Sequence, residues 1–156
     1  MNQTTLQKEK LNFLFEIHLE FEEDASPVHK DGKVGDYIGS GVGTVTGPNL
    51  KGDVHWTLFE DQNETVCESN LFGLITTDDG AQIHFDSLGF FAMPDENRPQ
   101  RWATTASVRF DTDDGRYTWL NAVLGIWEGE FDVQCYCHHY RVYAPQKNES
   151  SSTGIG

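Results

Sequence analysis

From Leu11 to Phe21 the chain alternates between apolar and polar positions. Leu11, Phe13, Phe15, Ile17, Leu19 and Phe21 share one face, and Asn12, Glu16, His18 and Glu20 share the other, with Leu14 the exception. Period-two alternation predicts a long strand with one buried face. The segment 22–34 holds Pro27 and Asp31-Gly32 and reads as a loop. Tyr37 to Gly47 carries glycine at 39, 41, 43 and 47, which leaves one face of a strand nearly bare. Either another backbone packs closely there or the strand bends sharply, as in small closed sheets. A phosphate-cradling loop does not fit, because no helix follows and no Lys-Ser/Thr pair is present.

The alternation continues in strands predicted over 54–59, 65–76, 81–91, 102–110, 117–127 and 131–143. Asp-Gly pairs at 79–80 and 114–115 are strong hairpin signals. About eight strands with no helical pattern between them predict an all-β fold, a single antiparallel β-barrel whose closure removes exposed edges. The barrel is expected over 11–145, with a flexible N-terminus over 1–10 and a disordered Ser/Gly-rich tail over 146–156.

At 156 residues the chain suits one domain, and fifteen glycines and nineteen aromatic residues agree with β structure. A formal charge of −14, from 25 acidic and 11 basic side chains, opposes binding to phosphate backbones or anionic lipid. Neither nucleic acid nor a membrane surface is expected as a partner. No apolar run approaches the ~20 residues of a membrane span. Cys67, Cys135 and Cys137 make an odd count, which argues against a secreted disulfide framework, so a cytoplasmic protein is the default expectation.

Tyr117, Trp119 and Asn121 alternate after the Asp113-Asp114-Gly115 turn, and on a strand they face the same way. Two rings beside an amide suit a pocket wall; a core with one satisfied polar group reads the same. His55 is the sharpest acid/base candidate, since histidine titrates near neutrality. It points inward only if Trp56 packs outward; otherwise it is a surface histidine beside Asp53. The Gln82, His84 and Asp86 face reads as solvated, and Asp78-Asp79 as turn chemistry. Cys135, Cys137 and His139 share a strand face, but residues two apart on a strand lie ~7 Å apart, too far to share one zinc ion without bending. Small cysteines packed in a barrel wall are the simpler reading, and no metal or cofactor is expected. Glu68, Arg109, Glu128 and Glu130 are charges in or beside strands; a buried carboxylate among them needs a partner that Arg109 can supply, and solvated charges are the simpler reading for most.

Several phrases occur together in order: Gly41-Val-Gly-Thr-Val-Thr-Gly47 leading to Leu50-Lys-Gly-Asp53, Thr77-Asp-Asp-Gly-Ala81, Phe110-Asp-Thr with Arg116-Tyr-Thr-Trp-Leu-Asn121, and Tyr140-Arg-Val-Tyr143. From Leu11 to Tyr143 the chain resembles the small bacterial and fungal family named domain of unknown function 3237. The resemblance implies a self-associating β-barrel, a dimer or tetramer, similar to allene oxide cyclase and dirigent proteins. Such barrels bind small apolar molecules and steer cyclisation, isomerisation or elimination without a cofactor. The family commonly has Asp where this chain has His55, and its usual Asp and Tyr before the Asp-Asp-Gly turn fall near Asn70 and Gly73, or near Glu68. The expected function is a cofactor-independent isomerase, cyclase or lyase acting on a small aromatic or polyketide-like metabolite. His55, Glu68 and Asn70 are its candidate catalytic residues. Trp56, Arg109, Tyr117, Trp119, Asn121 and His139 are the substrate-binding candidates. The alternative is a non-catalytic barrel that holds a small apolar ligand.

Overall fold

In the computed structural model, residues 11–22, 28–29, 36–62, 66–92, 94–97 and 99–145 are described. The N-terminus expected to be flexible and the tail expected to be disordered lie outside the described residues. The described residues form nine strands: β1 (Leu11–Phe21), β2 (Val28–His29), β3 (Asp36–Thr46), β4 (Lys51–Gln62), β5 (Val66–Thr77), β6 (Gln82–Ala92), β7 (Arg101–Asp111), β8 (Leu124–Asp132) and β9 (Cys137–Pro145). Sequential antiparallel neighbours pair from β3 to β9, and β1 pairs with both β9 and β3. The result is a closed eight-stranded antiparallel barrel. The two-residue β2 continues the β3 edge where β1 ends. No helix among the described residues is long and apolar enough to cross a membrane.

Closure requires strongly coiled strands, and the inward glycines allow it. A Cβ on Gly41 would overlap the Glu20 carbonyl of β1, and one on Gly43 the His18 carbonyl. The alternating glycines of β3 are therefore the place where a neighbouring backbone approaches. Leu14, the exception to the β1 alternation, marks a register shift between Phe13 and Phe15. The extra residue turns Leu11 and Phe13 outward, while Phe15, Ile17 and Leu19 are buried.

The lower end of the barrel carries the β3–β4, β5–β6 and β7–β8 connections. The β5–β6 turn closes as the Asp-Gly pair predicts: Thr77 N–H donates to the Ala81 carbonyl at 2.9 Å, and Gly80 has φ +91°. The strand predicted over 117–127 does not start there. Thr118–Ala122 is a short 3₁₀ helix, and β8 begins at Leu124. Two ties draw the chain off the strand path. The Asn121 amide accepts from Thr112 N–H at 2.8 Å and donates to the Thr112 carbonyl at 2.9 Å, while the Tyr117 hydroxyl donates to the Asp79 carboxylate. Leu120 is fully buried beneath them. Asn121→Ala removes both amide bonds and is expected to lower stability by about 1–2 kcal/mol in chemical denaturation.

The upper end carries the β4–β5, β6–β7 and β8–β9 connections. The single strand predicted over 131–143 is instead the end of β8, a turn at 133–136 and then β9. Asp132 accepts from Gln134 N–H at 2.8 Å, Val133 N–H donates to the Gln100 carbonyl at 3.0 Å, and Tyr136 adopts φ +56°. Cys135 and Cys137 are joined as a disulfide, so they are neither wall-packing thiols nor metal ligands, and Cys67 is the buried free cysteine.

Candidate functional site

On β4 the buried parity is Val54, Trp56 and Leu58. Trp56 therefore faces inward, with its indole N–H donating to the Val42 carbonyl at 2.9 Å, and His55 is exposed on the outer wall. Two residues beyond Leu58, the same parity directs Glu60 toward the upper interior, where it is half-buried. Its cross-strand partner Ser69 is buried, and the Cys67 thiol donates to Glu60 Oε2 at 3.4 Å. Loss of water raises the Glu60 carboxyl from an ordinary 4.5 to about 7, although the thiol hydrogen bond opposes the shift. Burial, reinforced by the Glu60 charge, pushes the Cys67 thiol up.

On β9 the inward parity is His138, Tyr140, Val142 and Ala144. His138 is fully enclosed, and its ring lies 4.5 Å from Phe131, 5.6 Å from Trp56, 5.7 Å from Phe21 and 5.8 Å from Phe91, centroid to centroid. Burial lowers its pKa from 6.5 to about 3, with a smaller contribution from His18, so the imidazole is neutral. Nδ1 is hydrogen-bonded to the Tyr140 hydroxyl, while buried Nε2 has no hydrogen-bond partner. Thr104 Oγ1 is also buried with no hydrogen-bond partner. Burial first, and then the Glu60 charge, raises Tyr140 well above its ordinary pKa. Trp127 lies below, 4.8 Å from the Tyr140 ring.

This upper end combines an acid that titrates near neutrality, a neutral imidazole with one nitrogen unused, a phenol and an aromatic collar. Perturbed ionisable groups in apolar surroundings mark a candidate for proton transfer. A groove of about 600 Å³ on the outer wall also holds ionisable groups, among them His18, His139, Arg101 and Arg141. There Arg101 pairs with Glu130 and Asp132, and Arg141 and His139 pair with Glu16, all at partly exposed positions. Exposed pairs of this kind contribute little to stability.

Of the residues singled out in the sequence, Trp56 reaches the upper interior. Glu68 is exposed on the outer wall. Asn70, also outside, donates to Asp86 Oδ1 at 2.7 Å and to the Ser87 carbonyl at 2.8 Å. Arg109 and His139 are exposed on outward parities. Tyr117 is buried at the opposite end, and Trp119 is 44% exposed beside a small cleft shared with Asn49 and Arg116. Glu60, Cys67, Thr104, His138 and Tyr140 were not singled out. The signal that finds them is strand parity, once one inward residue on β4 and one on β9 is fixed.

The family described as "Protein of unknown function (DUF3237)" matches residues 9–144. No curated protein matches the chain in sequence. Among solved structures, a β-barrel-like protein from Acinetobacter baumannii is 19% identical, with TM-score 0.72, covering 86% of this chain and 94% of its own. A protein of unknown function from Clostridium acetobutylicum is also 19% identical, with TM-score 0.72, covering 86% and 97%. A structure from Penicillium herquei described as an enzyme is 23% identical, with TM-score 0.60, covering 85% and 92%. At these identities the likeness is one of fold.

Proposed function

The chain belongs to the DUF3237 family, and we propose that it is a cofactor-independent proton-transfer enzyme acting on a small apolar or aromatic molecule at the upper end of the barrel. The reaction class is isomerisation, cyclisation or elimination. The observation that carries this reading is Glu60, a half-buried, inward-facing carboxyl hydrogen-bonded by the Cys67 thiol and raised to about 7. An acid whose pKa lies near working pH both gives and receives a proton efficiently. As carboxylate, Glu60 takes a proton from a carbon next to a substrate carbonyl, and as acid it returns the proton at another atom. The substrate keeps its oxidation state, so this step calls for no redox cofactor. His138 Nε2, unused and already desolvated, is suited to hydrogen-bond the substrate oxygen where charge develops. The collar of Phe21, Trp56, Phe91 and Phe131 supplies apolar area for a flat molecule. The Penicillium herquei barrel described as an enzyme adds fold-level analogy and no more.

The test starts with a panel of small phenols and cyclic ketones titrated against tryptophan fluorescence. Ligands that bind are then incubated with the protein in D₂O, and deuterium uptake at the carbon beside the carbonyl is followed by NMR. The wild type is expected to catalyse exchange, and Glu60→Gln to slow it by about 100-fold or more while binding persists. Equal exchange by the two proteins would reject Glu60. Binding with no exchange by the wild type would identify a carrier.

A further inference from the structure

We propose that Cys135–Tyr136–Cys137 is a thiol–disulfide exchange site whose reduction unseats Tyr136 from the mouth of the barrel. The turn joining β8 to β9 lies over the upper end. Its Tyr136 ring packs 4.5 Å from Phe21 and 5.3 Å from Phe131, the same two rings that flank buried His138. Tyr136 thus forms an outer layer above the collar. Its backbone has φ +56°, a region that residues with a Cβ seldom occupy. Both of its chain neighbours are tied to each other by the disulfide. The three-residue ring fixes the backbone that aims the tyrosine.

The chemistry requires access, and Cys135 is exposed while Cys137 is half-buried. A thiolate of a small thiol or dithiol reductant attacks Cys135 Sγ. The Cys135–Cys137 bond breaks, and Cys137 leaves as a thiolate that takes a proton from water. The reductant's second thiol then displaces Cys135 as a thiol and forms the reductant's own disulfide. Two electrons pass from the reductant's sulfurs to the protein's, and no other oxidant or reductant is needed. Tyr136 then swings away from the collar, and the barrel's upper interior, with Cys67, becomes accessible.

The functional consequence, redox control of substrate entry, rests on the reading of the upper end as the active site. The opening itself is measured without any substrate. Cys67, buried at this end and paired across strands with Phe91, is a built-in reporter. Its labelling by N-ethylmaleimide is followed by peptide mass spectrometry in oxidised protein and in protein reduced and then freed of reductant, at one pH. Reduction is expected to speed Cys67 labelling about tenfold or more with circular dichroism unchanged. The Cys135→Ser/Cys137→Ser variant should match the reduced rate. Tyr136→Gly should label fast whether oxidised or reduced. Equal Cys67 rates in oxidised and reduced wild type overturn the proposal. A fast rate on reduction together with slow labelling of oxidised Tyr136→Gly also overturns it, because the barrier would then not be the tyrosine. Deuterium exchange lost in Glu60→Gln with no redox effect on Cys67 would leave the catalytic reading standing and remove only this one.

Discussion

Gly41→Ala is expected to destabilise the barrel by about 3 kcal/mol or more, or to prevent cooperative folding. A Cβ at this position overlaps the Glu20 carbonyl and meets the Trp56 ring at 2.7 Å. Gly41 pairs with Phe21 on β1 and with Trp56 on β4, so it sits in the seam that joins the first strand to the third. The obstacle on the β1 side is backbone, which cannot rotate aside as the end of a side chain can. Relief requires β1 to move away from β3, and that separation opens the barrel. Gly115→Ala is the matched control: its Cβ meets nothing within 4 Å, and the change should stay within about 0.5 kcal/mol. Urea denaturation of the two variants measures the difference. A neutral Gly41→Ala would mean that the seam is looser than described.

Glu60→Gln is expected to stabilise the protein above neutral pH and to leave it nearly unchanged in acid. The folded carboxyl has a pKa of about 7 against an ordinary 4.5, so the fold favours the protonated form. Below about 4.5 the group is protonated in both states and contributes no difference. As pH rises from there toward 7, the unfolded chain ionises first and wild-type stability falls, and above 7 the cost is complete at about 3 kcal/mol. A neutral amide avoids it. His138 acts in the opposite direction: its folded pKa is depressed, so stability falls as pH drops below 6.5 toward 3. Wild type should therefore be most stable in mildly acidic solution, and Glu60→Gln should lose only the alkaline decline. Denaturation at about pH 4 and about pH 8 checks both arms. An equal effect of the mutation at the two pH values would show that Glu60 ionises as it does in water.

Much of the barrel is legible in period-two alternation, because each strand has one dry face. Even the Leu14 exception carries information, since it is the residue that the register shift leaves over. The alternating glycines of β3 likewise announce a close backbone approach, and the Glu20 and His18 carbonyls provide it. The segment 117–121 carries an alternation indistinguishable from that of a strand, yet Thr118–Ala122 is a 3₁₀ helix. What decides its conformation is the pairing of Asn121 with Thr112 and of Tyr117 with Asp79, and contacts across 9 and 38 positions leave no local pattern. The site was hidden for a different reason. On β4 both parities carry an aromatic residue, Trp56 on one and Phe59 on the other, so the dry face cannot be chosen locally, and with it goes the choice between His55 and Glu60. Cys135, Cys137 and His139 alternate in the sequence, but Cys135 lies in the turn before β9, and the inward face of β9 is the one bearing His138 and Tyr140. Residue type on one strand does not tell which face is inward, and His55, Glu68 and His139 lie on outward parities.

The most direct measurement is the titration of the Glu60 carboxyl, followed through its side-chain carbon by NMR and assigned with Glu60→Gln. The upper-end acid/base site predicts a midpoint near 7. A midpoint at the ordinary 4.5 would show a solvated carboxylate at the rim and would leave the proposed proton transfer without its acid.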